Sequence, residues 1–148
     1  MLVDSHCHLD LLDYDRLLQT EQEVVDAART HQVERILSIG INLTDAQRVI
    51  DIAERHSGVV ASVGLHPSEK VDHEPEEADY LRLAQHDKVV AIGETGLDYH
   101  YNSDGLDVQR ERFRRQIRVA RVLDKPIIVH TRAAVDDTIE IMRTEQAD

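Results

Sequence analysis

Short apolar segments alternate regularly with longer amphipathic ones along the whole chain. Five of the apolar segments are rich in Val and Ile, as strands buried on both faces are. The predicted strands are Leu2 to Cys7, Arg35 to Gly40, Val59 to Val63, Val89 to Gly93 and Pro126 to Val129. The predicted helices are Arg16 to Thr30, Thr44 to Arg55, Pro75 to Gln85, Leu106 to Leu123 and Ala133 to Thr144. This order predicts a single α/β domain over residues 1–148 with a parallel sheet.

Parallel strands are joined by right-handed crossovers. Repeated units of about thirty residues therefore build either an open doubly wound sheet or a (β/α)8 barrel. A complete barrel takes about 250 residues and eight units. Because the chain has 148 residues, it is either an open sheet or about the first five βα units of a TIM barrel. In both folds ligands bind at the face where the carboxyl ends of the strands lie.

The net charge and the cysteine content limit the kinds of functional site that the chain can contain. The chain has 17 Lys and Arg against 29 Asp and Glu, for a net charge of −12, which excludes a protein held on nucleic acid by bulk charge. Cys7 is the single cysteine, so a metal would have to be held by His and carboxylate. The sequence has neither an apolar run of ~18 residues nor a secretory pattern, so we expect a cytoplasmic protein without a membrane partner.

Four of the nine histidines stand at or just beyond the carboxyl end of a predicted strand. They are His6, His8, His66 and His130. Since side chains alternate along a strand, His6 and His8 point the same way and Cys7 points toward the helices. An H-x-H pair on its own is as compatible with a buried hydrogen-bonded pair as with a metal site.

Four of the other five histidines have simpler explanations. Three follow predicted helices, where an imidazole interacts favourably with the helix dipole, and one lies in an acidic loop. These residues are His31, His56, His86 and His73. We expect structural or surface roles for them.

Glu94 ends the apolar run of the fourth predicted strand. Its carboxylate would be costly to bury without a compensating cation. One interpretation is an ion pair with Arg132 or Lys125. The other is a carboxylate that bridges two metal ions, which also accounts for the nearby imidazoles. We favour the metal site.

Two glycine-containing loops, Gly64 to Pro67 and Gly93 to Tyr99, follow the third and fourth predicted strands. Either could be an ordinary turn, but at the face that carries the histidines both are candidate walls of a substrate site. Arg132 lies two residues beyond His130 at the same face. It is a candidate phosphate ligand because a guanidinium binds phosphate bidentately.

The fourth predicted helix is dense in arginine. Phe113, Ile117 and Ala120 form one apolar stripe, whereas Arg114 and Arg118 occupy another face. A nucleic-acid contact is one interpretation of the arginines. A solvated face that pairs with acids is favoured in a chain of this charge.

Taken together, five motifs resemble the TatD family of metal-dependent hydrolases, within the amidohydrolase superfamily. They are Asp4-Ser5-His6-Cys7-His8-Leu9-Asp10, Gly64-Leu65-His66-Pro67, Gly93-Glu94-Thr95-Gly96-Leu97-Asp98-Tyr99, Gln109 with Phe113 and Gln116, and Pro126 to Ala133. The resemblance runs through the whole chain in the family's order.

The resemblance implies a TIM barrel that hydrolyses phosphodiester bonds with two divalent ions, commonly as a deoxyribonuclease with 3′-5′ exonuclease activity on DNA. The ions could be Mg, Mn, Zn or Ni. In this family two histidines hold one metal, a glutamate bridges both, and another histidine holds the second. The implied metal ligands are His6, His8, Glu94 and His130. The implied catalytic residues are Glu94 and His66. The expected substrate contacts are His66, Arg132, Asp98 and Tyr99.

The family pattern also includes a metal-binding histidine after the sixth strand and an aspartate after the eighth, for which this sequence has no counterpart. We therefore expect a domain cut short at its carboxyl end. Its sheet would be open at the strands that begin at Leu2 and Pro126, with apolar side chains from Ile36 through Ile128 exposed. Self-association, or pairing with the missing carboxyl-terminal part, would cover them. Two alternatives stay open: a two-metal enzyme acting on a small amide or ester, and an inactive metal-binding fragment.

Overall fold

The computed structural model describes residues 1–100 and 105–147, in which five strands form one sheet. The strands are β1 (Leu2–Cys7), β2 (Val33–Ser38), β3 (Val59–Val63), β4 (Val89–Asp98) and β5 (Ile127–Arg132). Every neighbouring pair is parallel, and the strand order follows the chain from β1 to β5. A doubly wound sheet reverses its strand order, whereas a barrel wall does not. The sheet therefore has the sequential order of a barrel wall, and the predicted parallel α/β class is confirmed.

Helices connect the strands. They are α1 (Tyr14–Leu17), α2 (Glu21–Thr30), α3 (Ala46–Arg55), α4 (Glu77–Ala84), α5 (Leu106–Leu123) and α6 (Val135–Thr144), and a 3-10 turn spans Leu9–Leu11. The bounds of α5 are those predicted from the sequence. Within the described ranges, no helix has the combination of length and apolar composition that crossing a membrane requires.

One predicted helix, Arg16 to Thr30, is divided into α1 and α2. The division occurs because Leu18 takes a left-handed conformation with φ 52°. Thr20 then starts α2 through a capping box, in which its hydroxyl accepts from the Glu23 N–H and the Glu23 carboxylate accepts from the Thr20 N–H. This box satisfies two of the amide groups that a helix start leaves unpaired.

Strands β4 and β5 are longer than predicted, and the extension matters for the site. Their pairing continues from Thr95–Val129 to Asp98–Arg132. Gly93 has a φ of +140°, and a Cβ on Gly64 would lie 2.4 Å from the Gly93 carbonyl carbon. Only glycine fits such a close approach of two main chains. The extended β4 therefore carries Glu94 within the sheet rather than in a loop beyond it.

The core lies between the sheet and the helices. Helix α3 contributes Val49, Ile50 and Ile52, each 1% exposed. The apolar stripe predicted on α5 is buried as well, and Phe113 is fully buried beside Leu97 of β4. This packing fixes the helices on one face of the sheet and leaves the opposite face to the site.

Within the described residues, β1 and β5 are the edges of the sheet. Leu2 and Val3 of β1 are 57% and 60% exposed, as expected for an open edge. Ile36 was expected to be exposed, but it is 5% exposed. It packs in the core with Val59 because its side chain lies on the helix-facing side of β2.

Candidate metal centre

Glu94 is the centre of a cluster of imidazoles at the carboxyl ends of the strands. Its side chain is 12% exposed. Its Oε2 atom lies 3.5 Å from His6 Nε2 and 3.9 Å from His8 Nε2. Its Oε1 atom lies 3.3 Å from His130 Nδ1 and 4.0 Å from His66 Nε2. The structure thus brings together the four histidines that the sequence placed at strand ends, with two at each carboxylate oxygen.

These separations suit ligands that share an ion. Two ligand atoms about 2.1 Å from one ion, at roughly a tetrahedral angle, are about 3.4 Å apart. The donor atoms of His6, His8 and Glu94 form one group, and those of His66, Glu94 and His130 form a second, each within 4.8 Å. Neutral imidazole and carboxylate are the donors that divalent transition metals take. The residues present therefore fit a pair of metal sites that share Glu94.

The ion pair that was the alternative for Glu94 is not formed with either expected partner. The Lys125 ammonium donates to the carbonyls of Ala84 and Val89. The Arg132 guanidinium donates to Asp98. Glu94 consequently faces imidazoles, which favours the interpretation that a cation is needed at this carboxylate.

Two of the imidazoles are oriented by groups behind them. His8 Nδ1 lies 3.2 Å from the Ile39 carbonyl oxygen, which can only accept. In the neutral ring Nδ1 therefore carries the proton, and the Nε2 lone pair lies on the Glu94 side. His130 lies between two carboxylates, with Nε2 3.3 Å from Asp98 Oδ2 and Nδ1 3.3 Å from Glu94 Oε1. In the neutral ring with the proton on Nε2, Asp98 accepts that hydrogen bond and the Nδ1 lone pair lies on the Glu94 side. A ring nitrogen bound to a carbonyl or carboxylate in this way is typical of histidines that ligate metals.

His66 differs from these two. Its Nδ1 accepts a hydrogen bond from the Ser68 N–H at 3.2 Å, so in the neutral ring the proton is on Nε2, the atom that faces Glu94. Burial and the nearby His130 ring lower the pKa of His66, which favours that neutral form at pH 7. His66 therefore presents a donor to the site, although its position lies within the second donor group.

Asp98 is fully buried and collects donors from several elements. Its Oδ2 accepts from Arg132 Nε at 3.0 Å, and it lies 3.3 Å from both His130 Nε2 and Ser68 Oγ. The His100 N–H donates to Oδ1 at 3.1 Å. The sequence placed Asp98 among the substrate contacts. Because it has no exposed surface, the structure puts it behind the site, where it contacts residues that face the site.

Tyr99 was also expected to contact substrate, and the structure places it elsewhere. Strand alternation turns its side chain to the face opposite Asp98. The hydroxyl donates to Asp137 Oδ2 at 2.6 Å and accepts from Arg110 Nε at 2.9 Å. The ring packs with the cluster around Phe113. Tyr99 thus joins β4 to the helix layer. The Arg132 side chain lies at the site face and is 41% exposed.

The structure places Cys7 and the four histidines of expected structural or surface role where the sequence suggested. His31 Nδ1 lies 2.8 Å from the Ala27 carbonyl at the end of α2, and His73 is exposed. His56 and His86 each contact a glutamate, at 2.6 Å and 3.2 Å. Cys7 packs against the core on the helix side.

The sequence did not reveal the roles of Ser68 and Asp98 in orienting the imidazoles. Their contacts join β4, β5 and the loop after β3, so no local pattern encodes them. The one available signal is the position of Asp98, four residues after Glu94 on the same strand face.

Comparison with known proteins places this arrangement in context. A family model described as TatD related DNase matches residues 3–148. The uncharacterized metal-dependent hydrolase YabD of Bacillus subtilis is 38% identical over 149 residues, which span 100% of this chain and 57% of that protein. The uncharacterized metal-dependent hydrolase YcfH of Escherichia coli is 42% identical over 145 residues, 98% of this chain and 54% of that protein.

A mouse protein named putative deoxyribonuclease TATDN3 is 30% identical over 161 residues, 99% of this chain and 54% of that protein. The crystal structure of YJJV, a TatD homologue from Escherichia coli, superposes with a TM-score of 0.84 at 26% identity and covers 99% of this chain and 56% of that one. The chain spans a little over half the length of the relatives it matches. Its five parallel strands form a curled half-barrel of the kind this relative contains.

Proposed function

The chain belongs to the TatD-related DNase family of metal-dependent hydrolases, and on that premise we propose that it carries the metal centre of a phosphodiesterase that degrades DNA from the 3′ end. The observation that carries the proposal is Glu94, whose two oxygens each face a separate pair of imidazoles. A carboxylate that two metals share can hold them about 3.5 to 4 Å apart, the separation found in sites of two-ion hydrolysis. The name of the mouse relative supports DNA as the substrate.

We propose that His6, His8 and Glu94 hold one divalent ion, and that Glu94 and His130 hold a second. Mg, Mn, Zn and Ni are all compatible with a set of imidazole and carboxylate donors. When bound, such ions lower the pKa of a water molecule and offset the charge that develops on phosphate. The protein's own contribution is to hold these donors in place.

The second group of residues would handle the substrate. His66 directs an Nε2–H toward the site, and that donor can bind a phosphate oxygen. Arg132 is held at the same face by Asp98, and its guanidinium can bind another phosphate oxygen that does not react. Asp98 then acts through His130 and Arg132 rather than by touching the substrate. A cluster of donors at a metal pair gives an acidic protein a local site for a phosphate.

We also propose that the five strands correspond to the first five βα units of a TIM barrel. The sequential strand order and the superposition on YJJV support this assignment. In a closed barrel β1 and β5 would each have a further neighbour, which would cover Leu2 and Val3. Self-association, or pairing with the carboxyl-terminal part of such a barrel, would have the same effect.

The substrate can be tested with a fusion protein. The chain is joined to the segment of YcfH that follows its matched region, and the fusion is assayed with Mn²⁺ on single-stranded DNA labelled at the 5′ end. We expect a ladder of products shortened from the 3′ end. The same fusion carrying Glu94→Gln should give no ladder while keeping its circular dichroism spectrum.

A panel of amides and esters is assayed alongside the DNA. Hydrolysis of a panel member without any loss of DNA would contradict the proposed substrate. Equal DNA degradation by the Glu94→Gln fusion would contradict the proposed centre.

A further inference from the structure

Helix α5 turns a row of buried polar side chains toward the loops that carry the site. Gln109, Arg112 and Gln116 are 5%, 6% and 0% exposed. Their spacing of three and four residues places them on one face of the helix. Burying a polar group without a hydrogen bond lowers the stability of a protein. The hydrogen-bond partners of these three side chains therefore indicate the role of this helix face.

The two glutamines make the same pair of hydrogen bonds. Gln109 Oε1 accepts from the Asp98 N–H at 2.9 Å, and its Nε2 donates to the Asp98 carbonyl at 3.2 Å. Gln116 Oε1 accepts from the Leu65 N–H at 2.9 Å, and its Nε2 donates to the Leu65 carbonyl at 3.0 Å. Each side-chain amide thus pairs with the main chain of one residue as a neighbouring strand would.

The main chain needs these partners because the strands separate at this point. The pairing of β3 with β4 ends at Val63 and Ile92. Leu65 and Asp98 lie beyond that end and are 1% and 0% exposed. Their N–H and C=O groups are therefore cut off from water, and the two glutamines provide hydrogen-bond partners for them.

Arg112 lies between the glutamines and holds the loop after β3. One terminal nitrogen donates to the carbonyls of His66 and Glu69, each at 3.0 Å. Its Nε donates to Glu74 Oε2 at 2.9 Å. With Gln116 bound to Leu65, the main chain on both sides of the His66 α-carbon is fixed from α5.

We propose that Gln109, Arg112 and Gln116 are positioning residues for the metal-dependent site. Gln116 and Arg112 set the place of His66. Gln109 sets the place of Asp98, and through Asp98 that of His130. The inference rests on the proposed function in one respect, since it assigns Gln109 to the metal-holding side of the site and Gln116 to the substrate side.

The test uses Gln109→Met and Gln116→Met, which keep side-chain length and remove both hydrogen bonds. Phe113→Leu is the matched control, because Phe113 lies on the same helix, is fully buried and packs in an apolar cluster with Leu97 and Ile117. The first readout is hydrogen exchange of individual amides. The second is calorimetric titration with Mn²⁺ alone. The third is titration of the Mn²⁺-loaded protein with inorganic phosphate.

We expect the two glutamine variants to have different binding defects. Gln109→Met should lose protection at the Asp98 amide and bind Mn²⁺ about tenfold more weakly, the usual effect of losing support behind a ligand. Gln116→Met should lose protection at the Leu65 amide, keep the Mn²⁺ affinity of the wild type and bind phosphate more weakly. Phe113→Leu should lower stability while keeping both amides protected in native conditions.

Different results would refute the positioning role of the glutamines and the proposed metal centre. Loss of both protections in Phe113→Leu, or an unchanged Mn²⁺ affinity in Gln109→Met, would overturn it. If Gln109→Met fails to fold, Gln109→Asn, which keeps a neutral amide but is one methylene too short to span both Asp98 main-chain groups, should show an intermediate affinity, and wild-type affinity would overturn the inference. A wild-type chain that binds no Mn²⁺ would instead refute the metal centre, and with it the assignment of Gln109 to that centre.

Discussion

Replacing Asp98 by Asn should damage the metal centre although Asp98 is not expected to touch a metal. The carboxylate lies 3.0 Å from Arg132 Nε and 3.3 Å from His130 Nε2. An asparagine keeps one acceptor oxygen, but its NH2 group then faces donors. At least two contacts with a charged acceptor are therefore lost.

The expected size of the effect follows from these contacts. A hydrogen bond to a charged group contributes about 1.5 to 3 kcal/mol. The Arg132 side chain is 41% exposed, so water can replace much of what its hydrogen bond to Asp98 contributes to stability. We expect a loss of about 2 to 3 kcal/mol in the free energy of unfolding. A domain of ordinary stability, about 5 to 15 kcal/mol, remains folded after such a loss.

The metal affinity should fall together with stability, because His130 loses the partner that orients its ring. Mn²⁺ binding should weaken by about tenfold to a hundredfold. Urea denaturation gives the first quantity, and calorimetric titration with Mn²⁺ gives the second. Asp137→Asn is the matched control, since Asp137 is a carboxylate on the helix side that accepts from Tyr99 and Arg110. The Asp137→Asn substitution should lower the free energy of unfolding by less than about 1 kcal/mol and leave Mn²⁺ affinity unchanged. If Asp98→Asn bound Mn²⁺ as tightly as the wild type, the positioning role of Asp98 would be refuted.

Three further substitutions test other parts of the account. Cys7→Ser should keep the metal content and lower the free energy of unfolding by about 1 kcal/mol, because the hydroxyl enters an apolar layer. Metal analysis and denaturation measure these two quantities, and loss of metal would contradict the prediction that Cys7 is not a ligand. Although partial burial opposes the shift, hydrogen bonds from Arg55 and His56 hold the pKa of Glu21 below its ordinary value, so this stabilisation is present above pH ~4.3 and is lost as the pH falls through the lowered pKa. Thermal unfolding of Glu21→Gln should show lower stability at pH 7 and a shallower acid dependence, and an unchanged acid dependence would count against the pair. His66→Ala should keep Mn²⁺ affinity and weaken phosphate binding to the Mn²⁺-loaded protein, and a large loss of Mn²⁺ affinity would make His66 a ligand.

The sequence predicted the parts of the fold that depend on local periodicity. The bounds of α5 follow from its apolar stripe, and β3 was predicted with both bounds correct. The break before α2 was missed because the left-handed conformation of Leu18 is not one that a leucine side chain favours. The length of β4 was missed because its outer half pairs with β5, and glycines inside a strand resemble turn residues in a sequence.

The candidate site was predictable where residue type and strand end coincide. His6, His8, Glu94 and His130 could be grouped because the carboxyl ends of parallel strands meet at one face. Gln109 and Gln116 were recognised in the sequence as parts of one motif, but their contacts were not predicted, since both side chains bind main-chain atoms that no side-chain pattern reports. Interactions of this kind depend on where β3 and β4 separate, which only the folded chain shows.

The central claim is that one carboxylate, Glu94, serves two histidine groups. Anomalous diffraction from crystals of the chain soaked in Mn²⁺ tests it directly. We expect one Mn²⁺ peak within bonding distance of Glu94 Oε2 beside His6 and His8, and another within bonding distance of Oε1 beside His130, about 3.5 to 4 Å apart when both sites are filled. Mn²⁺ density beyond bonding distance of Glu94, or a Glu94 carboxylate paired with an arginine or lysine in the soaked crystal, would contradict it.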